Sequence, residues 1–367
     1  RRKVLLAYFD ETLEKCNNCD NCLNPPTLID GTILAHKLMS TIYKPGQYLT
    51  LKVNVNGEEL RRAYSLCTSP YVDETPAIAV KRVEGGKVSN YVSDSFAAGQ
   101  ELEVMTPMGN FTTELNEFYS RHFILYAGGS GVTPMVSILK SVLEIEPSSQ
   151  VTLIYGNRNE ESIIFRKELD ELEGHFADRF KIINCLNEAP NGWEGATGLL
   201  TPEKVADILG TLDADISNAL HFICGPSVMM DNVKTSLEGL KVPADKINIE
   251  YFTSKIDQGE ADAADSAVGV SDEPFTGVAQ IEVDLQGDMF NVEVSEKETI
   301  LQAGLEAGID PPFACQMGIC TTCRAKMLEG AVHMDETEGL TQDELDQNYI
   351  LTCQSHPKSN KIKIRYE

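Results

Sequence analysis

The sequence predicts a multidomain chain of α/β and β architecture, and three observations carry that expectation. At Tyr43 the apolar rhythm changes from helical to alternating. From His122 onward, apolar strands alternate with amphipathic helices. Two cysteine groups of different spacing stand at 16–22 and 315–323. A chain of 367 residues has room for about two to four domains.

Taken in order, residues 1–13 read as an amphipathic helix with Val4, Leu5, Tyr8 and Phe9 on one stripe. The cysteine stretch and "NPP" interrupt it, and "DGTILAHKLMSTIY" reads as a second helix. Short strands are expected at 48–55, 61–67, 76–83 and 101–105, separated by turn residues in the manner of a small antiparallel barrel. Then "HFILYA", a helix at 133–146, "QVTLIY", a helix at 163–173, "FKIINCL", a helix at 202–209, "LHFICG", a helix at 227–240 and "INIEYF" alternate. That order predicts a doubly wound parallel sheet with helices on both faces. Residues 254–275 are polar and acidic and read as a linker. A hairpin, "AQIEVDLQGDMFNVEV", and a helix, "TILQAGLEAG", open the last module. The expected domains are thus 1–43, 44–114, 115–253 and 276–367, with the linker before the last.

The chain carries 31 Lys and Arg against 56 Asp and Glu, a net charge of −25. Such a balance argues against nucleic acid as partner of the whole chain. Residues 254–367 hold 22 of the acids and only 8 basic residues, an acidic face that serves either solubility or the docking of a basic partner. Apolar runs are too short for a membrane span, and "RRKVLLAYFDE" lacks the apolar run of a secretion signal. With ten cysteines, this points to a reducing, cytoplasmic setting in which clustered thiols bind metal.

Cys315, Cys320 and Cys323 follow C-x4-C-x2-C, with Cys353 downstream in "YILTCQS". This is the plant-type [2Fe–2S] spacing. Gly318 and the small Thr321 and Thr322 let backbone N–H groups approach the sulfurs. A structural zinc site is the alternative, but zinc knuckles pair two short C-x2-C units. Cys67, Cys185 and Cys224 lie in predicted strands and read as buried or cofactor-facing residues.

In "RRAYSLCTSP", Arg62 and Tyr64 project to one face of a strand, a pair suited to a phosphate and an aromatic ring system, or to ordinary packing. "GGKVSNYV" sets Lys87 and Ser89 at a glycine turn that opens a helix, where anions bind. In "LYAGGSGVTPM", Gly128, Gly129 and Gly131 follow a strand, and Thr133 and Pro134 begin the next helix. Glycines admit a pyrophosphate to the backbone there. The next strand ends in Asn157 and Arg158, where an acidic residue would hold the ribose of NAD; an arginine suits the 2′-phosphate of NADPH. Glu160 and Glu161 nearby keep NADH open. Cys224, Gly225 and Pro226 end a further strand on the ligand-binding edge of the sheet.

Together "RAYS", "GKVSNYV", "GGSGVTP" and "CGP" resemble the ferredoxin–NADP reductase superfamily, and residues 276–367 resemble a plant-type ferredoxin domain, hence a β-grasp fold. The module order over residues 44–367 resembles the reductase components of bacterial oxygenases, notably the phenylacetyl-CoA epoxidase reductase type. The resemblance implies FAD held by Arg62, Tyr64, Ser65, Lys87, Val88 and Ser89. It implies a nicotinamide dinucleotide at Gly129 and Thr133, with Cys224 beside the nicotinamide. Glu250, Tyr251 and Phe252 match the family's acidic–aromatic strand end near the flavin. Cys224, Glu250, Tyr64 and Ser65 are then the expected catalytic group. The flavin would divide a two-electron hydride into single electrons for the cluster and an oxygenase partner.

Cys16, Cys19 and Cys22 form C-x2-C-x2-C, but Pro26 stands where a bacterial ferredoxin needs its fourth cysteine. Three thiols are one ligand short for zinc, with His36 a conceivable fourth. Residues 1–43 resemble the zinc-binding subdomain of RecQ-type DNA helicases, whose first cysteine would precede Arg1. The reductase family begins with one or two further barrel strands before "KPGQYLTL", so a barrel lacking its first strands and a junction of two gene fragments are expected. The competing readings are a nucleic-acid-binding zinc module with a passenger, and a ferredoxin whose flavin half is incompetent.

Overall fold

The computed structural model describes residues 43–252, 266–268 and 275–366, except the single positions 84, 286 and 338. The two helices expected before Tyr43, with Cys16, Cys19, Cys22 and His36, lie outside the described residues. So does the question of strands preceding Tyr43.

The first sheet begins with β1 (Tyr48–Val55) and β2 (Glu58–Ser65), paired antiparallel across Asn56–Gly57. Both turn residues take positive φ, 56° and 90°, as the tight hairpin turn requires. Leu51 and Val53 alternate inward and pack with Val88 of α1 (Lys87–Ser95). β3 (Glu103–Val104) joins the free edge of β1, giving the order β2-β1-β3. The strand expected at 76–83 is not formed; only a bridge between Leu66 and Ile78 remains. Pro76 brings no donor, and the Val83 N–H is taken by the Ser89 hydroxyl at 3.2 Å.

The doubly wound sheet is present as expected. β4 (His122–Gly128), α2 (Val132–Ile145), β5 (Gln150–Asn157), α3 (Arg166–His175) and β6 (Phe180–Leu186) build one half. β7 (Ala196–Thr197), α4 (Pro202–Gly210), β8 (Leu220–Cys224), α5 (Ser227–Gly239) and β9 (Ile247–Glu250) complete it. The order is β7-β6-β5-β4-β8-β9, all parallel. Phe123 to Ala127 are all fully buried, because both faces of β4 are covered. Phe123 and Leu125 pack toward α2, and Ile124 and Tyr126 toward α4 and α5. α3 begins at Arg166, three residues later than predicted, because Phe165 is held at φ 60°, outside the helical region. Sheet order reverses between β4 and β8, so a crevice opens at their carboxyl ends.

β10 (Ser266–Val268) falls inside the expected linker and pairs antiparallel with β14. The last module continues with β11 (Val278–Leu285), β12 (Asp288–Ser295), α6 (Ile300–Glu306), β13 (Arg324–Glu329) and β14 (Val332–Met334). It ends with α7 (Gln342–Asp346), β15 (Tyr349–Leu351), β16 (Ser355–Pro357) and β17 (Lys361–Tyr366). Its main sheet has the order β12-β11-β17-β13-β15, with β11 and β17 parallel, the mixed arrangement of a β-grasp fold. Thr299 caps α6 by accepting the Gln302 N–H, and Ile300 and Leu301 bury against the sheet. Among the described residues no helix is long and apolar enough to cross a membrane.

Candidate functional site

The three modules meet around a cavity of about 1230 Å³. That exceeds the roughly 300–1,000 Å³ usual for a single small ligand. Tyr48, Arg62, Tyr64 and Ser65 line it from the first sheet. Ser130, Thr133, Glu250, Tyr251 and Phe252 line it from the parallel sheet, and Cys315, Cys320 and Thr321 from the last module. Residues from all three modules therefore converge on one space.

On the barrel side, strand alternation brings Arg62 and Tyr64 to the cavity as expected. The buried Ser65 hydroxyl has no hydrogen-bond partner within the protein, nor has Glu250 Oε2. Burial pushes the Glu250 carboxyl up to about 8, with the nearby Ser65 hydroxyl holding the rise back in part. Glu250 is therefore neutral near pH 7 and able to donate a proton. Two orphaned polar groups facing a cavity are what a polar ligand edge would satisfy.

Lys87, Val88 and Ser89 do not line that cavity. Lys87 is exposed and pairs with Glu58 at 2.7 Å. The Val88 side chain packs in the barrel core, leaving only its backbone at the helix start, and Ser89 closes the Val83 turn. Lys81, which the motifs did not single out, does line the cavity and approaches Gly129.

On the nucleotide side, the four glycines divide by task. A Cβ on Gly131 would stand 2.1 Å from the Cys224 carbonyl oxygen, and one on Gly128 2.5 Å from Pro226 Cδ. One on Gly225 would meet the Gly128 backbone at 2.9 Å. These three bring the β4 and β8 loops together, backbone on backbone. Only Gly129, at φ 51°, opens onto free space, so one of the three glycines of "GGSG" is left to face a ligand. Thr133 lines the cavity while its hydroxyl donates to the Ser130 carbonyl at 3.0 Å. Cys224 is fully buried, in register with Glu250, and burial pushes its thiol well up. Asn157 is buried with both amide atoms unpaired, and Arg158 is exposed beside Glu188 at 3.0 Å.

The four C-terminal cysteines are free and form two pairs. Cys315 and Cys320 exchange backbone N–H contacts to sulfur at 3.4 Å, and the Met317 N–H reaches Cys315 Sγ at 3.3 Å. The Cys320 thiol and those N–H groups draw Cys315 down to about 6, while Cys320 is pushed well up. Cys323 and Cys353 divide likewise: bonding between them lowers Cys353 and raises Cys323. Gln316, Gly318 and Thr321 take positive φ, at 58°, 77° and 54°, which turns the loop's N–H groups toward the sulfurs. Among the described residues no three His, Cys, Asp or Glu side chains gather as a single-ion site would need. The four thiols, with N–H donors on the sulfurs of Cys315 and Cys320, fit a [2Fe–2S] cluster. Cys67 and Cys185 are buried elsewhere, their thiols donating to the carbonyls of Ala77 and Gly198.

Residues 125–235 match the family described as "Oxidoreductase NAD-binding domain", 32–113 "Oxidoreductase FAD-binding domain" and 283–358 "2Fe-2S iron-sulfur cluster binding domain". Residues 1–23 match "RecQ zinc-binding". The ferredoxin reductase component of 3-ketosteroid-9-alpha-monooxygenase from Rhodococcus rhodochrous is 36% identical over 325 residues, 88% of each chain. A component of the 1,2-phenylacetyl-CoA epoxidase of Escherichia coli K12 is 35% identical over 340 residues, 89% of each chain. The solved structure of phthalate dioxygenase reductase is 25% identical with a TM-score of 0.50, covering 88% of both chains. An intact type IV self-sufficient cytochrome P450 monooxygenase is similar in fold at TM-score 0.61 and 23% identity, covering 88% of this chain and 37% of that one.

Proposed function

This chain belongs to the oxygenase reductases that join FAD-binding, nicotinamide-nucleotide-binding and [2Fe–2S] modules, and on that premise we propose a residue-level path for its electrons and an oxygenase as their destination. The observation that carries the proposal is the shared cavity, which Arg62, Tyr64 and Ser65 line from the first sheet, Thr133, Glu250 and Phe252 from the parallel sheet, and Cys315 and Cys320 from the last module.

FAD, when bound, supplies the step from a two-electron hydride to single electrons. Arg62 offers its phosphates a cation, and Tyr64 offers its ring system an aromatic face. Ser65 and Glu250 give hydrogen bonds at the orphaned edge, and Glu250 holds a transferable proton near neutral pH. Gly129 and Thr133 accept the nucleotide's phosphates at the start of α2. Gly225 and Pro226 carry the neighbouring loop, and the buried Cys224, at the end of β8, would lie behind the nicotinamide. Phe252, 39% exposed in the cavity wall, would offer the flavin a second aromatic face. Cys315, Cys320, Cys323 and Cys353 would hold the [2Fe–2S] cluster, which passes on single electrons when bound.

The test is direct. Purified chain should show flavin absorption together with the [2Fe–2S] envelope, and should reduce cytochrome c at the expense of NADPH. Iron and sulfide without flavin would leave only the ferredoxin reading standing.

NADPH rather than NADH is proposed on Arg158, whose exposed guanidinium reaches past the end of β5 where a 2′-phosphate would lie. Its partner Glu188 is also exposed, so the pair is weak and exchangeable for phosphate. Arg158→Ala should raise KM for NADPH by roughly tenfold, one charge-assisted contact, and leave NADH unchanged. Equal effects on both nucleotides would remove Arg158 from the subsite.

A further inference from the structure

One side chain of the flavin module reaches into the cysteine loop of another. Tyr48, at the start of β1, is 5% exposed and lines the cavity between the modules. Its ring lies against Gly109, where a Cβ would come within 3.0 Å of the ring carbons. Its hydroxyl donates to the carbonyl of Cys320, 272 residues distant, and stands 3.1 Å from Thr322 Oγ1. Thr322 is fully buried, and its Oγ1 lies 3.2 Å from Cys320 Sγ. A metal-bound Cys320 is a thiolate without a proton, so at that distance the Thr322 hydroxyl must be the donor to sulfur. The phenol thus bonds the cysteine loop through the Cys320 carbonyl and packs at 3.1 Å against the Thr322 hydroxyl that faces Cys320 Sγ.

We propose that Tyr48 is a positioning residue that raises the reduction potential at the Cys320 end of the cluster, and does so only while the ferredoxin domain is seated on the barrel. Donors aimed at a cluster's ligands stabilise its more negative, reduced state. In the step concerned, one electron leaves the reduced flavin and one iron passes from ferric to ferrous. No bond or proton of Tyr48 changes. The seating itself is narrow: Arg61, buried, bonds Asp310 at 2.6 Å and stacks on Phe313 at 4.2 Å, and Asn110 donates to Glu344 at 2.7 Å. When those contacts open, the phenol's donation is lost with them, and the cluster becomes a stronger donor to its partner. Reception and delivery are thereby favoured in different arrangements of one chain.

The inference rests on the ligand assignment above, and the experiment separates the two. Full-length Tyr48→Phe keeps the ring against Gly109 and removes only the hydroxyl. With iron and sulfide retained, its cluster potential should fall by about 30–60 mV, a three- to tenfold change in the one-electron equilibrium at about 59 mV per tenfold. The flavin potential should hold, while the g values of the reduced cluster shift. An unchanged cluster potential and spectrum would overturn the role of Tyr48. Wild-type protein without iron and sulfide would instead overturn the ligand assignment, and this inference with it. Should Tyr48→Phe fail to fold, Arg61→Ala decides: a fall of the same size supports the docked phenol, and no fall excludes it.

Discussion

Cys323→Ser is expected to yield a protein with flavin absorption but without iron, sulfide or the [2Fe–2S] envelope. NADPH-driven reduction of cytochrome c should drop by more than about a hundredfold, beyond what loss of a supporting contact alone costs a metal site. Ferricyanide, small enough to meet the flavin directly, should still be reduced. The expectation follows from burial and pairing. Cys323 is 2% exposed, packed among Ala325, Leu351 and Tyr366, and hydrogen-bonds Cys353. A serine oxygen there is a harder ligand that does not ionise at neutral pH, and it would leave the cluster one thiolate short. Cys185→Ser is the matched control, since its thiol binds the Gly198 carbonyl far from the cluster loop. If Cys323→Ser keeps the wild-type spectrum, the two-pair assignment is wrong.

The order of elements was legible in the sequence because each module announces itself through a different periodicity. β4 reads as an unbroken apolar run, and it lies with both faces covered. The Asn56–Gly57 turn and the cysteine spacing are similarly local signals. What the sequence concealed were effects of donors and of neighbours. The stretch 76–83 alternates like a strand, yet its Val83 N–H goes to a side chain six residues away. "GKVSNYV" looks like a site that presents side chains, whereas its valine is core and its serine a turn lock. "GGSG" looks like a phosphate cradle throughout, whereas Gly128 and Gly131 are small because another loop presses on them. No spacing rule reports that Tyr48 meets a carbonyl 272 residues downstream.

That division among the glycines predicts the second large effect, at Gly131. Its φ of −61° and ψ of −8° suit any residue, so the backbone itself does not demand glycine. The demand is steric: an alanine methyl would stand 2.1 Å from the Cys224 oxygen and 2.4 Å from its carbon. Neither partner is a flexible side-chain end, so the β4 and β8 loops must separate along the crevice where nucleotide is expected. Gly131→Ala should therefore cost about 3 kcal/mol or more of stability, at the upper end for forcing bulk into a packed site. In whatever protein folds, KM for the nicotinamide nucleotide should rise at least roughly tenfold, because the loop that carries Gly129 and Thr133 moves with it. Gly174→Ala, in α3 with nothing within 4 Å, should by contrast stabilise by about 0.4–1 kcal/mol. Thermal unfolding and nucleotide titration of the two variants side by side measure both effects. Wild-type stability and KM in Gly131→Ala would mean that the loops have slack, and that the nucleotide crevice is not set by backbone contact between β4 and β8.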